Sequence, residues 1–303
     1  MSEAQTVVPI QRSSSINLGA FDHLEIRHDP ARQALFWSMV PNPRPCFSSG
    51  MVRDIQRFQE TLRDQFHAAQ VRYLVVGSTM PGVFSFGGDL ALFRDLIERR
   101  DVDGLSAYAR DCVTILDNHY RSMDLPVTSV ALVQGDAVGA GFETALAADF
   151  LIAERGAKLG FPEILFNLVP GHGAYHLLSH RIGARAARDM ILGGRLYPAE
   201  EIHEMGLIDI LVEDGEGPAA LDKFIRHRNK TWNAGHALQR IERTTQRITR
   251  GQLTESANIW VEAAMRLDTH HLKIMDRLIR AQHRAVNEVQ APVQPAMAVG
   301  AES

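Results

Sequence analysis

Glu143 and Glu163 are the residues whose types and settings could do chemistry. Each stands just beyond a strand-like run, among small residues that would let a ligand approach the backbone, and loops at strand ends are where α/β folds usually bind ligands. Two carboxylates converging on one point can act as general acid and general base. Desolvation suits glutamate to either role by raising its pKa toward neutrality. Two turns of small residues accompany them, Gly87-Gly88-Asp89 and Gly139-Ala140-Gly141, each placed after a strand signal and before a helix signal. Free N–H groups at helix starts bind anions, and two of them aimed at one point would form an oxyanion hole for a thioester enolate. Together these parts are equipment for removing a proton beside a thioester carbonyl and expelling a β-hydroxyl. Singly, each has a plainer account: Glu143 as a first-turn acid favoured by the helix dipole, Glu163 as a loop carboxylate, and the turns as tight connections.

The elements that must position these residues read as α/β. Residues 23–27 and 34–39 carry a hairpin signal. Ser48 or Ser49 can cap a helix over about 51–69, where Met51, Ile55, Phe58, Leu62 and Phe66 recur at helical spacing. Residues 73–76, 127–133 and 150–153 read as buried strands. Helices are expected from Asp89 and over about 105–121. Strand alternating with helix predicts a mostly parallel sheet. Beyond Gly173 the pattern turns helical at 174–182, 184–192 and 198–204, with a short strand over 207–212. Helices then fill 218–231, 234–249 and about 253–287. In the last, Trp260, Ala263, Ala264, Leu267, Ile274 and Leu278 keep one face. This gives a flexible arm at 1–18, an α/β core at 19–213, a helical domain at 214–288 and a disordered tail at 289–303.

At 303 residues the chain can bury a full core, and 45% hydrophobic with 22% charged residues is ordinary for a globular protein. A net charge of −4 gives no signature for nucleic acid. Cys46 and Cys112, in unrelated contexts, fit a reducing compartment. No apolar run approaches the ~18 residues of a membrane span, and the polar N-terminus lacks a secretion signal. A cytoplasmic protein is expected. The Gly139 turn lacks the third glycine of a dinucleotide fingerprint, where Thr144 stands. Neither a phosphate loop nor a G-x-S-x-G elbow occurs. His172, His176 and His180 fall at steps of four, but too few ligands accompany them for a metal.

Phe84-Ser85-Phe86-Gly87-Gly88-Asp89-Leu90, Gly139-Ala140-Gly141-Phe142-Glu143 and Gly160-Phe161-Pro162-Glu163 resemble the crotonase (enoyl-CoA hydratase/isomerase) superfamily. The two glutamates stand 20 residues apart, as in its hydratases. Gly87 to Phe93, Ala131 to Gly135, Pro162 to Phe166, Gly173-Ala174-Tyr175, Ile259-Trp260-Val261 and Met275-Asp276-Arg277-Leu278 resemble a narrower branch, the diffusible-signal-factor synthases. These matches span about residues 45–285.

The resemblance implies a crotonase-like ββα spiral core with a C-terminal helical domain that serves oligomerisation and lids an acyl pocket. It implies an enzyme that dehydrates 3-hydroxyacyl-ACP to cis-2-enoyl-ACP and cleaves the thioester, releasing a cis-2-unsaturated fatty acid for quorum sensing. Gly88 and Ala140 N–H groups would hold the thioester oxygen. Glu143 and Glu163 would share the proton transfers, in an order left open. Gly87, Val138, Gly139, His172, Trp260 and Leu278 would contact substrate, although Trp260 and Leu278 also suit plain helix core. No cofactor is implied. Ala140 departs from an expected glycine, and His172 from an apolar residue that close relatives carry. The implied partners are acyl-ACP or acyl-CoA, a possible sensor-kinase receiver domain, and further copies in a homotrimer or hexamer. Arg181, Arg185, Arg188 and Arg195 are candidates for an ACP-binding patch. The competing readings are an enoyl-CoA hydratase of fatty-acid degradation, a non-catalytic crotonase-fold binding protein, and an isomerase or hydrolase with one working glutamate.

Overall fold

The computed structural model describes residues 18–245 and 247–290. The arm, apart from Leu18, and nearly all of the tail lie outside the described residues. Strands β1 (Leu24–Asp29), β2 (Ala34–Met39) and β3 (Tyr73–Ser78) begin one sheet, with helix α1 (Ser49–Ala69) between β2 and β3. Ser48 caps α1 by accepting from the Met51 N–H. Then come β4 (Gly82–Ser85), α2 (Leu90–Glu98), α3 (Val102–Tyr120), β5 (Thr128–Val133), β6 (Gly135–Val138) and α4 (Ala140–Ala147). The core continues with β7 (Phe150–Glu154), β8 (Lys158–Gly160), α5 (Ala174–Ile182), α6 (Ala184–Gly193), β9 (Leu196–Pro198), α7 (Ala199–Glu204) and β10 (Ile210–Val212).

The strands form a six-stranded sheet in the order β1-β2-β3-β5-β7-β10 and a four-stranded sheet in the order β4-β6-β8-β9. Pairing is parallel except for β1 with β2 and β8 with β9. Each of β3, β5 and β7 lies in the first sheet, and the next strand, β4, β6 or β8, lies in the second. The chain therefore climbs in repeated strand–strand–helix steps. The parallel strands are buried on both faces, which is why β5 is apolar almost throughout and lacks alternation. Val75, Val130, Leu132 and Ile152 meet one layer. Their neighbours Leu74, Val76, Ala131, Val133 and Leu151 meet the other.

Helices α8 (Gly217–Lys230), α9 (Trp232–Thr245), α10 (Arg250–Ala264) and α11 (Thr269–Gln290) complete the chain. Leu221, Phe224 and Ile225 of α8 cover the outer face of the large sheet. Leu253, Ala257 and Trp260 of α10, and Leu272 and Met275 of α11, belong to the main core, as does Leu18. The helix expected over 253–287 is broken. Met265 ends α10, and the Asp268 carboxylate accepts from the N–H groups of His270 and His271, starting a new helix. The break lets α11 turn back over α2 and the 163–166 turn.

Candidate active site

The second sheet gathers the site. Strands β4, β6 and β8 lie side by side, with Ser85 opposite Ala137 and Val138 opposite Gly160. The turns that leave them carry Gly87 and Gly88, Gly139 and Ala140, and Glu163. Three stretches far apart in the chain thus end at one edge.

Gly87 has a φ of +85°, and a side chain there would stand 2.6 Å from the Val138 carbonyl oxygen and 3.1 Å from the Ala140 nitrogen. Only glycine lets the two turns touch. Ala140 opens α4, so its N–H has no acceptor within the helix. Gly88 precedes Asp89, whose carboxylate caps α2 by accepting from Ala91 and Leu92 N–H. Arg44 pairs with that carboxylate at 2.8 Å. Gly139, at φ +54°, lies directly under the Glu163 carboxylate, where a β-carbon would collide with Oε1.

Gly88, Val138, Gly139, Ala140, Glu143, Glu163, His172, Trp260 and Leu278 all line one cavity of about 400 Å³. Gly87 packs behind its wall. Sequence reasoning missed Phe86, Asp136, Leu165, Phe166 and Gln282, which also line it. The signal for Phe86 was present: it follows the buried Phe84 at a strand spacing of two. The α11 contributions, Leu278, Ala281, Gln282 and Ala285, follow a helical face.

Glu143 is 1% exposed. Its Oε1 accepts from the backbone N–H groups of His172 (3.1 Å) and Ala174 (2.9 Å). The His172 Nδ1 lies 3.6 Å from its Oε2. The Glu163 residue keeps some accessible surface, but its Oε2 is buried with no hydrogen-bond partner among the described residues. Burial pushes the Glu163 carboxyl up to about 8; its own backbone N–H opposes the shift and the nearby Glu143 adds to it. Burial thus favours the protonated form of Glu163. Trp260 packs edge-on against Phe93 at 5.0 Å and beside His172 at 5.6 Å, so it serves both core and cavity wall.

The three histidines spaced by four do not converge. His172 enters the cavity wall, His176 hydrogen-bonds Ser256, and His180 is exposed. The four arginines differ in setting. Arg181 is turned inward, donating to the Leu146 and Ala148 carbonyls at the end of α4. Arg195 pairs with Glu201 and covers the Tyr197 ring, while Arg185 and Arg188 are exposed on α6. Replacing Arg181 by Met should lower stability by about 1–3 kcal/mol by orphaning both carbonyls. Urea unfolding checks this, and an unchanged midpoint would contradict the capping role.

The residue pattern described as "Enoyl-CoA hydratase/isomerase" matches residues 41–273. The chain belongs to this family. Mouse mitochondrial methylglutaconyl-CoA hydratase is 32% identical over 157 residues, covering 52% of this chain and 48% of that protein. The enoyl-CoA isomerase/hydratase claC of Penicillium crustosum is 34% identical over 173 residues, 57% of this chain and 19% of that protein. The chain thus spans half or less of these curated relatives. Human mitochondrial delta3-delta2-enoyl-CoA isomerase shares the fold, with a TM-score of 0.70 at 18% identity over 87% of this chain and 99% of that one. The crotonase fold expected from the glycine turns is therefore present. Among the described residues, no helix is long and apolar enough to cross a membrane.

Proposed function

We propose that this family member adds and removes water across the α,β-bond of fatty-acyl thioesters, and that its branch-specific task is to make a free cis-2-enoic acid of the diffusible-signal-factor type. The observation that carries the first part is the meeting of Glu143 and Glu163 in one cavity beside the Gly88 and Ala140 turns. The second part rests on the branch resemblance around Gly87 to Phe93 and Ile259-Trp260-Val261.

In dehydration the thioester oxygen takes hydrogen bonds from Gly88 and Ala140 N–H, which stabilise the enolate as it forms. Glu163, seated over Gly139 next to that oxygen, takes the α-proton as a carboxylate. The electron pair forms the double bond, the β C–O bond breaks, and Glu143 gives the leaving hydroxyl its proton. Hydration reverses every step and uses Glu163 as the acid. Thioester cleavage uses the same N–H groups for the tetrahedral oxyanion. A glutamate takes a proton from the attacking water, the C–S bond breaks, and the thiol leaves with that proton. Phe86, Phe166, Trp260 and Leu278 form the apolar wall for the acyl chain.

The pH dependence follows from Glu163. Its raised pKa keeps the acid form up to about 8. kcat/KM for hydration should therefore fall as pH rises through about 8, whereas kcat/KM for dehydration should rise through the same range. A flat profile in both directions would remove Glu163 from the proton transfers.

A second reading, a hydratase of CoA thioesters, is favoured by relatives whose names state that activity. Mass spectrometry of lipid extracts from cells expressing the protein separates the two. Free cis-2-enoic acids that vanish with Glu143→Ala support the signal synthase. Robust enoyl-CoA hydration without free acid replaces it by the CoA hydratase.

A further inference from the structure

Ala140, Glu143 and His172 form a partition. One side faces the main cavity, and the other faces a second chamber of about 20 Å³. Such a volume holds one water, which needs roughly 10–15 Å³ and two to four polar partners. Trp37, His119 and His172 all line this chamber. Trp37 Nε1, His119 Nε2 and His172 Nε2 are buried and have no hydrogen-bond partner among the described residues. Buried polar atoms rarely go unpaired, and three orphans around one small chamber mark a bound water.

The donor and acceptor count agrees. Trp37 Nε1 can only donate. The other His119 ring nitrogen hydrogen-bonds the Thr144 backbone, and burial pushes the ring down to about 4. His119 is thus neutral near pH 7, and its Nε2 is an acceptor. One water accepting from Trp37 and donating to His119 still has a hydrogen and a lone pair for His172 Nε2.

We propose that a single ordered water bridges Trp37, His119 and His172, and that His172, anchored by it, is a positioning residue for Glu143. The inference rests on the acyl-thioester reading above. His172 meets both oxygens of the Glu143 carboxylate, through its backbone N–H at Oε1 and its ring at Oε2. Rotation of that ring would move it away from Oε2, and the water together with the Trp260 and Tyr108 rings prevents this. The ionisable groups around the imidazole are Glu143, Glu163, Tyr108, Cys112 and His119. Burial raises Tyr108 well above its usual value and pushes Cys112 up to about 12. Neither therefore carries charge near neutrality.

The test has two arms. A crystal structure of the full-length protein should show one ordered water in contact with Trp37, His119 and His172; the absence of density there overturns the water site. Kinetics on a 3-hydroxyacyl thioester test the positioning role. His172→Leu should lower kcat on the order of 10²-fold with little change in KM, and move the acid limb of the pH profile. His172→Gln, which can still hydrogen-bond the water, should recover part of the loss. An unchanged kcat, or a change confined to KM and chain-length preference, overturns the role in favour of plain pocket lining. Should His172→Leu fail to fold, His119→Phe removes the far acceptor of the water without touching Glu143 and should lower kcat in the same direction. Wild-type protein inactive on every acyl thioester would sink the proposed function, while the crystallographic arm would still decide the water site.

Discussion

Glu143→Gln and Glu163→Gln should each reduce the proposed hydration and dehydration by about 10²–10⁴-fold, the usual contribution of a positioned acid or base, in a protein that keeps its fold. Glutamine preserves shape and hydrogen-bonding capacity. At position 143 its oxygen can still accept from His172 and Ala174 N–H, so the turn at 171–174 stays anchored. At position 163 the buried Oε2 site has no partner to lose. The two losses should not add, because the proposed transfers at the α-carbon and at the hydroxyl belong to one reaction. Stability separates chemistry from structure. Folding raises the Glu163 pKa from 4.5 to about 8, so the folded state keeps a proton that the unfolded state has released. This weakens folding as pH rises from 4.5 to about 8, and leaves it flat above and below. Glu163→Gln should therefore match wild type in stability at acid pH and exceed it by several kcal/mol, on the order of 5, at alkaline pH. Urea titrations across that range measure the difference. Full activity in either variant would remove the acid–base assignment, and no pH-dependent gain at position 163 would remove the buried-carboxyl argument.

The second large effect is expected at Gly87. Gly87→Ala should cost about 10²–10³-fold in kcat, the loss typical of a damaged oxyanion site. The new methyl must push aside the Val138 carbonyl and the Ala140 nitrogen, spreading the two turns that meet at Gly87. The positive φ adds backbone strain of roughly 1–2 kcal/mol. Gly82 provides the control. It also has a positive φ, but a side chain there meets open space. Gly82→Ala should lose stability through the strain alone and keep its activity. Equal losses of activity at both positions would mean that strain, not the spacing of the turns, is what matters.

Much of this was legible in local sequence. The apolar runs of β3, β5 and β7 announced a parallel sheet, because strands buried on both faces are mostly apolar and lack alternation. The glycine turns and two glutamates announced the site, because close backbone approach leaves few residue choices. The short strands β4, β6, β8 and β9 left no such mark. Three or four residues are too few for a period to show. Arg181 read as a surface charge and proved to be an inward cap, since the carbonyls it bonds lie more than 30 residues earlier in the chain.

The sequence by itself determined the kind of fold, the two acids and the glycine turns beside them, since these depend on the residue types of single short segments. Tertiary structure alone decided that the turns after β4, β6 and β8 share an edge, that α11 closes the cavity after its break at 265–268, and that burial raises the Glu163 carboxyl. It also decided that Glu143 and His172 both border the small chamber lined by Trp37 and His119. Such features depend on desolvation and contact between segments remote in the chain, and no local pattern encodes which distant residue will remove the water.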